Sequence, residues 1–315
     1  MLKIYKTTQV EKKLKKAKKI SADSWIDMIS PTQEEIEKVL EMTNIDEDLI
    51  IKMLDDEERP RIEVTDNATL VVIDTPYLES NDKDHFVYNT SPLGIIITDN
   101  NYVITVSPSG TKVLSNFKKN KVKDFRTAKK TRFLIQILIE TATEYIRVLN
   151  KVNKRIEIKE QVLSKSTSNK DLIDMLDIEK TLVYFLTSLK ANDLVLEKLS
   201  KGKILPLFEG DSDLLDDAIV EIKQAIEQSE IQRNILESIT DTYATIVSNN
   251  MNEVMKFLAG ITIVISIPTM ISSFLGMNVP FGDIGENPLS AIIIFIVSII
   301  ISVIIAIILK KKNLL

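Results

Sequence analysis

The side chains that usually carry enzyme chemistry are scarce in this sequence. It has no cysteine and one histidine, His85. That excludes disulfides, cysteine-ligated zinc or iron–sulfur centres, thiol nucleophiles and any multi-histidine metal site within one chain. No Walker-type glycine loop is present. His85 falls in the polar segment 80–90, read as a surface loop, so an enzyme is not expected. What remains is a set of neutral oxygens in an apolar setting. Thr262, Ser266, Thr269 and Ser273 are spaced by 4, 3 and 4 residues, which is one face of a helix. The same steps taken backwards reach Ala259, Met255, Asn252 and Ser248. Small hydroxyl residues let helices pack closely in lipid and can bond back to the preceding turn. Repeated by several chains around an axis, the stripe becomes stacked rings of hydroxyls, a lining that water accepts without any charge.

The stripe stops at Gly276-Met277-Asn278. Glycine permits a left-handed backbone and asparagine tolerates it, so a helix C-terminus explains these residues by itself. Asp283 and Glu286 follow. They either concentrate cations at an entrance or merely keep a loop soluble.

These residues need elements to hold them. Phe257–Leu275 is an apolar run of about 19 residues and Leu289–Leu309 one of about 21, each long enough to cross a bilayer as a helix. The intervening stretch 276–288 is full of helix breakers, so two transmembrane helices form a hairpin. Lys256 precedes the first span and Lys310, Lys311 and Lys312 follow the second, whereas the loop has no Lys or Arg. The positive-inside rule puts both termini in the cytoplasm and the loop outside. Residues 1–8 lack the long apolar core of a signal peptide. Pro268 removes one backbone N–H and predicts a mild kink in the first span. The second span has only Ser290, Ser298 and Ser302 as hydroxyl residues and is read as lipid-facing.

Upstream the chain is highly charged, with 40 Lys+Arg and 45 Asp+Glu over 315 residues and a net charge of −5. That balance argues against a nucleic-acid binder. The run Lys12, Lys13, Lys15, Lys16, Lys18 and Lys19 reads as solvated surface, with contact to anionic lipid as the other option. Residues 1–125 mix strand and helix patterns and form an α/β domain. Its strands are expected at Leu2–Thr7, Trp25–Ile29, Leu70–Thr75, Leu93–Thr98 and Tyr102–Val106. Helices follow Ser30-Pro31-Thr32 and cover Gln33–Met42 and roughly Asp46–Asp56. Residues 126–210 read as a pair of long antiparallel helices. From Asp211 no Gly or Pro interrupts the chain before Gly260. A stalk helix of about 65 residues, ~97 Å long, therefore continues into the first span. Such a rod needs partners along its length, so a homo-oligomer is expected. The fold class is an α+β membrane protein, with a cytoplasmic α/β domain, a coiled-coil-like stalk and two C-terminal transmembrane helices.

At this point the chain resembles the CorA magnesium transporters, the family with two membrane helices and a GxN turn, over nearly its full length. The resemblance rests on Gly276-Met277-Asn278 between two C-terminal spans, SNNMNEVMKFLAGITI at 248–263 and KKKNLL at 310–315. SWIDMISPT at 24–32, ERPRIE at 58–63 and LVYFLTSLKAN at 182–192 add to it. It implies a homopentameric funnel in the cell membrane that passes hydrated Mg²⁺, with Mg²⁺ as cargo and possible regulator and no cofactor. By the same resemblance Asn278 is the selectivity residue, shaped by Gly276 and Met277. Asn252 and Thr269 are polar pore-lining positions, and Met255 and Leu258 form a hydrophobic constriction. Ser266 stands where other members can carry an apolar residue, which shortens that constriction. A small ion that dehydrates reluctantly suits a ring of neutral oxygens binding it through its waters.

One position departs from the family. Members are thought to sense cytoplasmic Mg²⁺ between subunits through an acidic pair ahead of an Arg-Pro and an Asp near the start of the long helix. Here the Asp matches Asp217, but the pair falls on Ile51 and Lys52. A cation site does not form around a lysine. An inter-subunit Lys52–Asp217 pair would replace the ion with a fixed ammonium, while Asp55, Asp56 and Asp216 offer a shifted site. Two other readings of the whole chain stay open. One is a transporter of Co²⁺, Ni²⁺ or Zn²⁺. The other is a membrane-anchored coiled-coil scaffold or sensor, which leaves the hydroxyl stripe unexplained.

Overall fold

The computed structural model describes residues 1–8, 13–81, 86–163, 169–201, 204–277, 288–312 and 314. They divide into two compact units, Met1–Ile239 and Thr240–Leu315.

The first unit is built on a seven-stranded sheet. Its strands are β1 (Leu2–Thr7), β2 (Leu14–Lys16), β3 (Trp25–Ile29), β4 (Arg61–Val64), β5 (Ala68–Asn81), β6 (Phe86–Thr98) and β7 (Val103–Ser107). The spatial order is β2-β1-β3-β7-β6-β5-β4. β3 and β7 pair in parallel and the other neighbours are antiparallel. Part of the lysine-rich run therefore forms an edge strand, a place where lysine also discourages pairing with another chain. Of the stretch 80–90, expected to be a loop, the described residues 80–81 and 86–90 are strand. β5 reaches Asn81 and β6 begins at Phe86. The reason is tertiary: polar residues are accepted there because a helix covers the ribbon. His85 lies outside the described residues.

Helices cover both faces of the sheet. α1 (Gln33–Thr43) starts at Thr32, whose hydroxyl accepts from the Glu35 N–H while the Glu35 side chain caps Thr32 in return, a capping box. With α2 (Asp48–Ile51) and the short 3₁₀ turn Lys52–Leu54, it buries Ile36, Val39, Leu49, Ile50 and Met53 on Leu70, Val72, Ile96, Ile104 and Val106. A Cβ on Gly94 would lie 2.5 Å from Met53 Cγ, so only glycine lets this turn lie flat on β6. The other face meets α3 (Lys112–Lys118) and α4 (Lys130–Leu163) around fully buried Trp25. Trp25 stacks edge-on with Phe133 at 5.2 Å and donates to Thr105 Oγ1 at 2.9 Å. It is a core residue, as its place on a strand implies.

β4 reaches only to Val72 of β5, and β7 only to Gly94 of β6. Beyond those points β5 and β6 run on as a two-stranded ribbon with bare outer edges. α5 (Asn169–Ser200) satisfies part of them. Asn192 Oδ1 accepts from the Asp74 N–H, and its Nδ2 donates to the Asp74 carbonyl, both at 2.9 Å. The Thr181 hydroxyl does the same for Tyr88, accepting from its N–H and donating to its carbonyl, both at 3.1 Å. Thr181 and Asn192 are three helical turns apart on one face, so one helix clips both edges.

α6 (Asp211–Leu275) is one helix of 65 residues. Within the first unit it buries Leu215, Ala218, Ile222, Ala225, Ser229, Gln232 and Leu236, a heptad-like seam. Gln232 Nε2 donates to the Leu149 carbonyl of α4 at 3.0 Å, and Ser229 Oγ to the Leu182 carbonyl of α5 at 3.4 Å. Its start is fixed by Asp211, which pairs with Arg132 at 2.8 Å.

The second unit holds the remainder of α6 and α7 (Pro288–Lys311). Both are long and apolar enough to cross a membrane.

Candidate functional site

In the second unit the side chains of α6 separate into two faces. Val264, Ile267, Ile271 and Leu275 are half-buried. On α7 the matching stripe is Ser290, Ile294, Ser298, Ser302 and Leu309, of which Ser298 is 1% exposed and Ser302 7%. Among the described residues α6 and α7 are the only long elements of this unit, and Ile271 and Leu275 share an apolar cleft with Ile294 and Val297. These two stripes are therefore the seam of the hairpin. The serines of α7 face that seam and not lipid, which corrects the reading from sequence. Small residues there allow close approach in a medium with no hydrophobic drive between helices. Their spacing of 8 and 4 residues carried the signal, because helical periodicity puts all three on one face.

Thr262, Ser266, Thr269 and Ser273 point the other way. At about 100° per residue they lie roughly 180° from the seam, and all four are exposed. Met255 and Leu258 fall within the same arc of about 80°, and Asn252 sits at its edge. Met255 and Leu258 are 58% and 52% exposed. The structure thus gathers the seven residues singled out on this helix onto one uncovered side. Three of the hydroxyls have spent their proton. Thr262 Oγ1 donates to the Leu258 carbonyl at 2.8 Å, Ser266 Oγ to Thr262 at 2.7 Å and Thr269 Oγ1 to Ile265 at 3.1 Å. A hydroxyl has one proton and two lone pairs. What this face turns outward is therefore acceptor oxygen.

Pro268 lies inside α6 and offers no N–H to the Val264 carbonyl, on the seam side. Gly276 ends the helix with its N–H bonded to the Ser272 carbonyl at 3.0 Å. It is not among the left-handed residues. Its missing side chain matters for space instead, since a Cβ would sit 3.3 Å from the Ser272 oxygen. Met277 is exposed. Asn278, Asp283 and Glu286 lie outside the described residues.

In the first unit Lys52 is exposed, and its ammonium is 3.8 Å from Glu63, which also meets Arg61 at 3.1 Å. Asp216 and Asp217 are exposed on α6, and Asp55 and Asp56 are exposed just after the 3₁₀ turn. No cluster of three acidic or histidine side chains able to hold a metal occurs among the described residues.

The fold and this face define a membrane protein with a large α/β unit ahead of two apolar helices, one of which keeps an oxygen-bearing side uncovered. Known proteins give that class its family. The profile of CorA-like Mg²⁺ transporter proteins matches residues 22–311, and the chain belongs to that family. It is 29% identical over 274 residues to the cobalt/magnesium transport protein CorA of Methanocaldococcus jannaschii, covering 84% of this chain and 82% of that one. The cobalt/magnesium transport protein CorA of Thermotoga maritima is 24% identical over 284 residues, covering 87% and 78%. The complete structure of the M. jannaschii CorA magnesium transporter superposes with a TM-score of 0.87 at 25% identity, over 100% of this chain and 99% of that one.

Proposed function

We propose that the chain is a channel-like transporter of hydrated Mg²⁺, assembled as a homo-oligomer in the cell membrane with both termini in the cytoplasm. The resemblance implies five subunits. The uncovered face of α6 lines the pore, from Asn252 through Met255, Leu258, Thr262, Ser266 and Thr269 to Ser273. Asn278 forms the filter ring, Gly276 and Met277 set its turn, and Asp283 and Glu286 gather cations at the mouth. The observation that carries this reading is the acceptor-only hydroxyl face turned away from the seam. Oxygen lone pairs accept hydrogen bonds from the waters of a hydrated cation, and the ion passes without losing its shell. Two charges crossing 100 mV gain ~4.6 kcal/mol, so the membrane potential drives uptake without ATP. The relatives' names favour Co²⁺ as a second cargo.

For regulation, Lys52 of one subunit pairs with Asp217 of the next and holds the closed state with a fixed ammonium in place of a divalent ion. The intrachain contact to Glu63 is long and exposed, so it is a weak competitor for that ammonium.

The test is Mg²⁺ entry into proteoliposomes carrying a Mg²⁺-sensitive dye under an inside-negative potential. Native flux should fall sharply in Asn278→Ala. A folded oligomer with no native flux for Mg²⁺ or Co²⁺ would sink the transport reading and favour the scaffold.

A further inference from the structure

Asp74 sits where α5 crosses the β5–β6 ribbon, and it is partly buried. Its backbone is fixed on both sides by Asn192, and the Tyr145 hydroxyl of α4 donates to the same carbonyl at 3.2 Å. Its carboxylate has a single side-chain donor. Ser188 Oγ lies 2.6 Å from Asp74 Oδ2 and 3.0 Å from Thr90 Oγ1 on β6. A serine has one proton, so it serves one of these two oxygens at a time.

The groups facing Asp74 are Ser188 and Asn192 from α5, Tyr145 from α4 and Thr90 from β6. The charged residues of neighbouring β4 are engaged elsewhere, Arg61 with Glu58 and Glu63, and Glu63 with Lys52 as well. Among the described residues, Asp74 is thus a carboxylate in a poorly solvated place held by one hydroxyl and no cation. Burial pushes its pKa up to about 6 from 3.8, and the Ser188 bond opposes that only in part. Tyr145 beside it is raised well above its usual value, by burial first and by the Asp74 charge second.

We propose that Asp74, Ser188 and Thr90 form a proton-operated relay between the β5–β6 ribbon and α5. With Asp74 ionised, Ser188 donates to its carboxylate. When Asp74 takes up a proton, the carboxyl O–H donates to Ser188 Oγ, and the serine proton turns to Thr90 Oγ1. The charge leaves a site that solvates it badly, and the direction of donation along Asp74, Ser188 and Thr90 reverses, beside the bond that α5 already makes to β6 through Thr181. α5 also packs on the first part of α6, through Ser229 on Leu182 and through Lys190 paired with Glu230 at 2.7 Å. The proton's effect thus reaches the helix that continues to Leu275, and acidification on the side of the first unit tunes transport separately from any divalent ion.

The experiment uses the full chain in detergent, melted at intervals from about pH 5 to pH 8. Trp25, the single tryptophan, is buried in the first unit and reports its unfolding. In the native chain the melting temperature falls as pH rises through about 6. Asp74→Asn flattens that interval, and Ser188→Ala moves the midpoint up, because the anion loses its donor. An Asp74→Asn chain that keeps the native profile overturns the relay. Should that variant not fold, a Ser188→Ala midpoint unmoved from native overturns it instead. A second arm rests on the proposed transport: dye flux with pH varied on the side of the first unit. The ratio of flux at low and high pH departs from one in the native chain and returns to one in Asp74→Asn. An equal ratio in both overturns the link to transport. Absence of flux in the native chain counts against transport itself, and the melting arm then decides the relay.

Discussion

Leucine placed on the two faces of the α6–α7 hairpin distinguishes the seam from the open side. Ser298 is 1% exposed on α7, and Ser298→Leu forces an isobutyl group into a contact that has room for a hydroxymethyl. Overpacking of this kind costs about 1–3 kcal/mol, a shift of roughly 5- to 150-fold in the packing equilibrium. The hydrogen bond from Ser298 to the Phe295 carbonyl is a minor loss, since that carbonyl also belongs to the helix ladder. Thr262→Leu makes a comparable change on the exposed face. Its hydroxyl bonds its own chain, so nothing is stranded when it goes, and the cost stays within about 0.5 kcal/mol. Circular dichroism melts of the full chain in detergent should show Ser298→Leu clearly lowered and Thr262→Leu near native. On the proposed pore assignment, dye flux should show the reverse sensitivity per unit of stability lost, because Thr262→Leu replaces outward oxygens with hydrocarbon while leaving the fold alone. Equal melts for the two variants, or a lower one for Thr262→Leu, would refute the assignment of faces.

Asn192→Ala leaves the Asp74 N–H without its partner on a covered strand edge, at about 1–3 kcal/mol, while the carbonyl keeps the Tyr145 hydroxyl. The Trp25 fluorescence melt should drop accordingly, while Asn192→Gln recovers little because its longer side chain misses the clip. For pH, the folded pKa of Asp74 exceeds its unfolded value, so its contribution is full below about pH 4 and is lost as pH rises through about 6. The shift from 3.8 to about 6 amounts to about 3 kcal/mol, and a denaturant series at both ends of that window measures it. Lys52→Glu should make flux more sensitive to internal Mg²⁺ by restoring an acidic partner for Asp217. Unchanged inhibition curves would remove Lys52 from regulation.

Much of the frame was legible in residue order because local chemistry fixes it. The absence of Gly and Pro between Asp211 and Gly260, capping chemistry at Asp211 and a glycine past Leu275 bound α6. Val- and Ile-rich runs marked most central strands, and two long uncharged stretches marked the helices able to cross a membrane. The hydroxyl stripe is likewise a property of spacing, since 4, 3 and 4 residues fall on one side of any helix. What periodicity does not say is which side meets a neighbour. Spacing alone therefore leaves the serines of α7 on a lipid face, and packing places Ser298 and Ser302 in the seam. Polar residues make the stretch 80–90 read as a loop, yet residues 80–81 and 86–90 are strand, where α5 supplies Thr181 to the edge at Tyr88 and Asn192 to the ribbon at Asp74. Asp74 had no mark in sequence at all. Its altered proton affinity comes from strands and helices that are distant in the chain and meet only in the folded unit, where burial decides how readily a charge is held.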